Sequence, residues 1–354
     1  MNPEIVSRKG NEPAAAAKAA KSAVLLLAHG TPNALGEMAE YLGKVTGGRA
    51  LPQDVVEELQ HRYAQIGLRK TPGTEAPPLT KWTLEQGRLL AEALGDTKVY
   101  VGMRNWHPYI ADVVAQMRED GVTRIKAVCL APQNSRTSVG LYRKAVLDVA
   151  AGMEVEFVAG WAESPTLALA FADRLWPVWA EACAESRRRV PVLFTAHSVP
   201  CRTIMTGEAS TVGARPGSPV QTTPDSYPVE AKRTAEMVAE RLAPVGFGER
   251  DWYFAFQSQG VAGGPWIGPT VEDTLQGIQQ EGYTGVVMQP VGFLCDHVEI
   301  LYDIDIAFRE AASRLGLQLW RAESLNDSPL LVRALVEIVR GQFKATVDEI
   351  ASSS

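Results

Sequence analysis

The segment VVMQPVGFLCDHVEILYDID, residues 286–305, closes an apolar run with five side chains that can carry protons or hold a cation: Asp296, His297, Glu299, Asp303 and Asp305. Glu299 and Asp303 are spaced i, i+4, which puts both carboxylates on one face of a helix. Two like charges so placed cost stability unless they hold a cation or share a proton. Ile300, Leu301, Ile304 and Ile306 fill the other positions. The helix is therefore expected to be mostly buried, which favours a metal or proton path over an exposed acidic stripe. Asp296 and His297 read as supports that orient a carboxylate, and Asp305 as facing solvent.

The sequence has only five histidines. His29 in LAHGTP, His107 in GMRNWHP and His197 in TAHSVP stand, like His297, at or just past apolar runs; His61 lies in the helical stretch VVEELQHRY. His197 is the leading candidate, because it follows the almost wholly apolar VLFTA and precedes a proline-stiffened turn. His29 has a structural alternative, fixing the turn before Pro32, and His107 reads as a helix-start residue. Imidazole with carboxylate and no thiolate cage suits a borderline divalent ion such as Fe²⁺, held loosely enough to be passed on. Cys129, Cys183, Cys201 and Cys295 form no CxxC pair, so a reduced compartment is expected and a cysteine-only metal site is not. There is no HExxH, no GxGxxG after the first strand and no Walker loop, so neither a closed zinc hydrolase site nor nucleotide binding is supported.

These residues need elements to position them. Buried-looking strands (AVLLLAHG, KVYVGMR, RIKAVCLAP, PVLFTAHSVP, DWYFAFQSQG, TGVVMQPVGF, GLQLWRAESL) alternate with amphipathic helical stretches. That alternation predicts an α/β fold with parallel sheets covered on both faces. The pattern restarts midway, which predicts two Rossmann-like doubly wound domains with a cleft between them. The expected divisions are a flexible N-terminal extension over 1–22, an N-terminal domain over 23–175, a C-terminal domain over 176–325, and a helix packing back with a loose tail over 326–354. Ligands bind outside the carboxyl ends of such strands, where four of the five histidines fall. Residues 67–79 and 205–225 read as loops, the second long and mobile.

Bulk properties bound the rest. The chain has 354 residues, is 46% apolar and carries a net charge of −6 without a basic run, so a nucleic-acid partner is not expected. No apolar run is long enough to span a bilayer. The Ala/Lys-rich start lacks the apolar core of a signal peptide, and a cytoplasmic protein is expected.

TAHSVP, PWIGPT and PVGFLCDHVEILYDIDIAF resemble the ferrochelatases, enzymes that insert ferrous iron into a porphyrin. LAHGTP, GMRNWHPYI and RAESLNDSPLLVRAL fit the same family in the same order, from Ala23 to Phe343. The resemblance implies two Rossmann-like domains around a porphyrin cleft. It puts the family's invariant histidine on His197 and its glutamate on Glu299, facing each other across the macrocycle. His197, as a neutral imidazole, would accept pyrrole protons, and Glu299 would assist their removal or guide the metal. Asp303 would continue an acidic track, shortened here because the family's next acid falls on Ala307.

LAHGTP and LAPQNSRTSVGLYRKAV are closer to the coproporphyrin type of Gram-positive bacteria. There a tyrosine often stands where His29 stands, so His29 is a candidate axial ligand beside His197, Glu299 and Asp303. Coproporphyrin carries four propionates, and Arg62, Arg104, Ser135 and Arg136 are candidate anchors, with Trp266 also contacting substrate. The family's GGxSPL turn is replaced by GLRKTPGTEAPPL, and its GDPY region leaves only PDSYP. The cysteine-rich tail that binds an iron–sulfur cluster in some members is absent. The resemblance implies Fe²⁺ as substrate, a porphyrin in and a haem-type product out, no organic cofactor and a monomer. It leaves open transient contact with haem-synthesis enzymes or a membrane surface. Protoporphyrin IX as substrate, insertion of cobalt or nickel, and a non-enzymatic porphyrin carrier are the alternatives.

Overall fold

The computed structural model describes residues 21–211, 220–260, 264–343 and, as backbone, 346–350. Most of the expected N-terminal extension, the middle of the 205–225 loop and the last four residues lie outside the described residues.

Among the described residues nine strands form two sheets. The first contains β1 (Ser22–Ala28), β2 (Val99–Met103), β3 (Arg124–Cys129), β4 (Glu154–Gly160) and β9 (Thr346–Ile350), in the order β2-β1-β3-β4-β9. The second contains β5 (Val192–His197), β6 (Trp252–Gln257), β7 (Gly285–Pro290) and β8 (Gln318–Arg321), in the order β6-β5-β7-β8. All pairings are parallel except β4 with β9. The expected parallel α/β architecture holds. β1 and β5 are central and almost wholly apolar because helices cover both faces of each sheet.

Two strands were not anticipated. EVEFVAG carries two glutamates in its first three residues, yet β4 buries Val155, Phe157 and Val158. β9 adds an antiparallel edge beside β4 where a loose tail was expected, since β4 still offered a row of unpaired backbone groups.

The helix Pro165–Ser186 joins the two sheets. Ser164 caps it by accepting from the Leu167 amide, and Pro165 occupies its first turn, where no amide is needed. Its Leu167, Phe171 and Leu175 share one apolar cluster with Val24 and Leu26 of β1 and with Val192 and Phe194 of β5. The two halves therefore share a core. Truncating one such fully buried side chain costs about 2–5 kcal/mol.

The acidic segment departs from the reading as one regular helix. It is α-helical over Val298–Leu301, π-helical over Asp303–Phe308 and α-helical again over Arg309–Arg314. The wider turn buries Ile304 and Phe308 and also Asp303. Such π turns concentrate at functional sites. Among the described residues, no helix is long and apolar enough to cross a membrane.

Candidate active site

The carboxyl ends of β1, β2, β3, β5 and β7 open onto one cleft of about 1030 Å³. His29, Arg104, Ser135, His197, Trp266 and Glu299 line it. At one end of the cleft Glu299 sits between two histidines. Its Oε1 is 3.3 Å from His197 Nε2, and its Oε2 is 3.3 Å from His297 Nε2. The remaining nitrogen of each ring is also committed. His297 Nδ1 donates to the Cys295 carbonyl at 2.9 Å, and His197 Nδ1 to the Ser198 carbonyl.

That geometry sets the charges. Both nitrogens of His197 face acceptors, so the imidazolium satisfies both contacts and the neutral ring only one. Burial opposes the charge. The Glu299 carboxylate, the hydrogen bond to it and the Ser198 carbonyl outweigh burial and push His197 up to about 9. Burial likewise opposes ionisation of Glu299, but His197 and then His297 hold it well below the usual carboxylate range. His197 and Glu299 thus stand as an ion pair, where a neutral imidazole was expected. The sequence placed the two residues together but could not show that both partners of the ring would be acceptors.

A buried chain of polar groups fixes this pair. Thr195 Oγ1 donates to Gln257 Oε1 at 2.6 Å, and Gln257 Nε2 donates to the Glu299 carbonyl at 2.7 Å. Tyr227 donates to the His197 carbonyl at 2.7 Å. Gly292, in the turn after β7, lies against β5. A Cβ there would come within 2.9 Å of Ala196 Cβ and 3.0 Å of Ala196 Cα, one residue before His197. Thr195 was not singled out from the sequence, Gln257 only as a residue at the end of its strand, and Tyr227 only beside PDSYP. The available signal was position: Gln257 ends β6 as His197 ends β5.

Asp303 lies one turn beyond Glu299 and outside the cleft lining. It is buried, and one oxygen accepts from the Ser258 hydroxyl. Ser258 reaches it from a left-handed backbone conformation, φ 60°, which costs free energy in a non-glycine residue. Burial, the largest influence, pushes the Asp303 carboxyl up to about 6, with Ser258 and Arg62 acting in the opposite direction. Asp305 was expected to face solvent. It is instead paired with Arg321, Nε to Oδ1 at 2.6 Å and Nη2 to Oδ2 at 3.0 Å.

Across the cleft, His29 directly follows β1. Its Nδ1 lies 3.1 Å from the Gly30 carbonyl, and its Nε2 lies 2.9 Å from the Asn105 amide nitrogen. A neutral ring that donates through Nδ1 and accepts from Asn105 fits both contacts. Burial, and then the Arg104 charge, push His29 down to about 4. Neither ring nitrogen is free to ligate a metal in this arrangement, so an axial role requires the Asn105 contact to break. Gly30 has φ +85°, and a Cβ there would meet the Trp106 amide at 2.8 Å. Only glycine makes this turn.

The candidate anchors divide. Arg104 lines the cleft, lies 5.7 Å from the Tyr142 ring and has a buried Nε without a partner. Ser135 lines it too, its hydroxyl 2.9 Å from that of Thr137. Arg136 does not line it. Its guanidinium donates to the Thr203 carbonyl at 2.9 Å and to the Thr223 carbonyl, tying down the segment after β5. Arg62 also points elsewhere, to Glu58 at 2.9 Å and Asp303 at 3.8 Å. Two cations missed from the sequence, Arg69 and Lys81, line the cleft from the altered lip and the helix behind it. Asp296 does not orient Glu299. Its carboxylate accepts from Ser324 at 2.7 Å and Asn326 at 3.0 Å, anchoring the turn before the acidic segment. Among the described residues no three His, Cys, Asp or Glu side chains are grouped as a metal site. His29, His197, Glu299 and Asp303 do not converge as a ligand set, since His29 and Asp303 are each committed to other partners.

Two helix-covered parallel sheets opening onto one cleft, with imidazole and carboxylate in its wall, define a chelatase-like α/β protein. The sequence profile of the family described as Ferrochelatase matches residues 21–343. The ferrochelatase of Acidobacterium capsulatum is 58% identical over 90% of this chain and 94% of its own length. The coproporphyrin III ferrochelatase of Geobacillus sp. is 30% identical over 92% and 98%. The structure of SirB from Bacillus subtilis with Fe³⁺ matches with 12% identity and a TM-score of 0.48, over 92% of this chain and 100% of that one. The chain belongs to the ferrochelatase family.

Proposed function

We propose that the protein inserts Fe²⁺ into coproporphyrin III, releasing two protons and an iron porphyrin. The observation that carries the iron chemistry is the Glu299 carboxylate held between His197 and His297 in the wall of a tetrapyrrole-sized cleft. Fe²⁺ is a substrate in this reading, and no organic cofactor or iron–sulfur cluster is called for.

The resting ion pair gives the reaction an order. A porphyrin bound over His197 presents two inner N–H protons. His197 accepts one only after its own proton has left. The support for that proton is chiefly the Glu299 charge. A divalent ion arriving at Glu299 cancels that charge and lowers the affinity of His197 for its proton. Metal arrival and readiness of the base are thereby coupled. A rigid cleft supplies ring distortion from binding energy, and the Gln257 brace keeps Glu299 from following the metal.

The choice of porphyrin rests on charge. Arg104, Ser135, Arg69 and Lys81 all line the cleft and offer donors to more than two carboxylates. The Geobacillus relative supports the same choice. Anaerobic Fe²⁺ insertion followed by absorbance, with coproporphyrin III and protoporphyrin IX side by side, tests it. Faster turnover of coproporphyrin is expected. Faster turnover of protoporphyrin overturns the choice of porphyrin, and no turnover of either overturns the iron reading.

A further inference from the structure

The loop between β3 and the helix Val139–Leu147 alternates. Ala131, Gln133, Ser135 and Thr137 line the cleft, and Asn134 and Arg136 do not. The groups behind this loop come from the other half of the chain. The Asn134 amide donates to Glu230 Oε2 at 2.7 Å, and the Arg136 amide donates to Asp225 Oδ2 at 2.9 Å. Two carboxylates thus grip the backbone on either side of Ser135, through charge-assisted bonds that are stronger than neutral ones. Asp225 has a further connection. Its Oδ1 accepts from the Tyr227 amide at 3.0 Å, at the start of the helix Tyr227–Leu242, and its own amide donates to the Ile204 carbonyl at 3.3 Å. The Tyr227 ring is buried in one apolar cluster with Ala196 and Phe256, and its hydroxyl reaches the His197 carbonyl at 2.7 Å. Arg136, Asp225 and Tyr227 therefore link the cleft wall of one sheet to the base-bearing strand end of the other. Asp225 itself lies outside the cleft lining.

We propose that Asp225 is a positioning residue for insertion: its two oxygens, one on the Arg136 amide and one on the Tyr227 amide, set the distance between the wall that receives the porphyrin and the strand end that presents His197. This rests on the reading of the cleft as a porphyrin site with His197 as proton acceptor. Proton transfer demands that distance, since a misplacement of about 1 Å costs on the order of 10²-fold in rate. A carboxylate suits the task because it only accepts hydrogen bonds and offers one oxygen to each amide. The rigid Tyr227 ring then carries the position of its own backbone to that of His197.

The test reads both ends of the link. Porphyrin affinity comes from quenching of protein fluorescence by metal-free coproporphyrin III. The base is followed by the NMR signal of the His197 imidazole in porphyrin-free protein, identified by its loss in His197→Gln, and by kcat for Fe²⁺ insertion at saturating porphyrin. Asp225→Ala is expected to lower kcat about ten- to hundredfold, to weaken porphyrin binding about three- to tenfold, and to shift the imidazole signal. Asp225→Asn, which can accept through one oxygen only, falls between it and wild type. Tyr227→Phe breaks the last link alone. It lowers kcat about three- to tenfold, shifts the imidazole signal and leaves porphyrin affinity unchanged. Adding Tyr227→Phe to Asp225→Ala costs little more than Asp225→Ala by itself, because one connection is broken twice. Weaker porphyrin binding in Asp225→Ala with kcat and the imidazole signal unmoved overturns the proposal and leaves Asp225 a staple of the loop. Fully additive losses in the double variant overturn it too. Should Asp225→Ala not fold, Asp225→Asn decides, and wild-type values there overturn the proposal. The fluorescence and NMR readouts need no iron. If wild type inserts no metal, the insertion reading fails, and these two still decide whether Asp225 joins wall and base.

Discussion

Nε2 of His197 stands 3.3 Å from Oε1 of Glu299, joining the end of β5 to the first turn of the acidic segment. Each residue owes its charge to the other. Removing the imidazole removes the proton acceptor and leaves Glu299 with His297 alone. His197→Ala is expected to lower insertion by about 10²–10⁴-fold, the usual worth of a positioned acid–base group. Porphyrin binding should persist, because the cleft walls are untouched. Turnover near wild type, measured with saturating porphyrin and Fe²⁺, would refute the assignment.

The packing of Gly292 against Ala196 predicts a different failure. Gly292→Ala forces a methyl group into backbone and side-chain atoms of β5 at 2.9–3.0 Å. The expected cost is about 1–3 kcal/mol, as for other overpacked sites. His197 should be displaced as well, so activity falls further than stability. An unchanged urea midpoint together with unchanged kcat would show that the turn simply gives way.

The two histidines pull pH dependence in opposite directions. His29 is pushed down to about 4 from 6.5, so the unfolded chain takes up the proton first. Its contribution is present above the unfolded value and is lost as pH falls from 6.5 towards 4, roughly 1–2 kcal/mol by pH 5. His197 is raised to about 9. Its contribution is complete below 6.5 and is lost as pH rises towards 9. Urea midpoints from pH 5 to 9 should fall less steeply on the acid side in His29→Gln and on the alkaline side in His197→Gln. Curves parallel to wild type would sink both assignments.

His29 also tests the axial role. If it ligates iron in the product, it must first leave Asn105. His29→Ala should then alter the visible spectrum of the bound iron porphyrin and its release rate more than the rate of insertion. An identical spectrum would remove His29 from the ligands.

Much of this was legible in the sequence because it is local. The apolar run VLFTA makes β5 and delivers His197 at its end, and VVMQP makes β7 and delivers the turn towards Glu299. What escaped is long-range. Arg62 and Arg136 look alike as cations near a cleft, yet one reaches an acid 241 positions away in sequence and the other two backbone carbonyls of the loop after β5. No spacing rule encodes such partners. Asp305 failed for the same reason, since its partner Arg321 lies on β8. β4 escaped because Glu154 and Glu156 at its start masked a strand that is otherwise buried. The π turn escaped because i, i+4 reasoning presumes the very helix that it interrupts.

That turn behaves as a phase shifter. It accommodates one residue more than an α-helical turn would, and a single residue is worth about 100° of rotation around the axis. The helix Arg309–Arg314 is fixed by the Arg309 bond to the Leu319 carbonyl. A chain one residue shorter between 303 and 308 would relax to an ordinary α-helix and swing Glu299 by that angle relative to the fixed end. The side chain would keep its chemistry and lose its address.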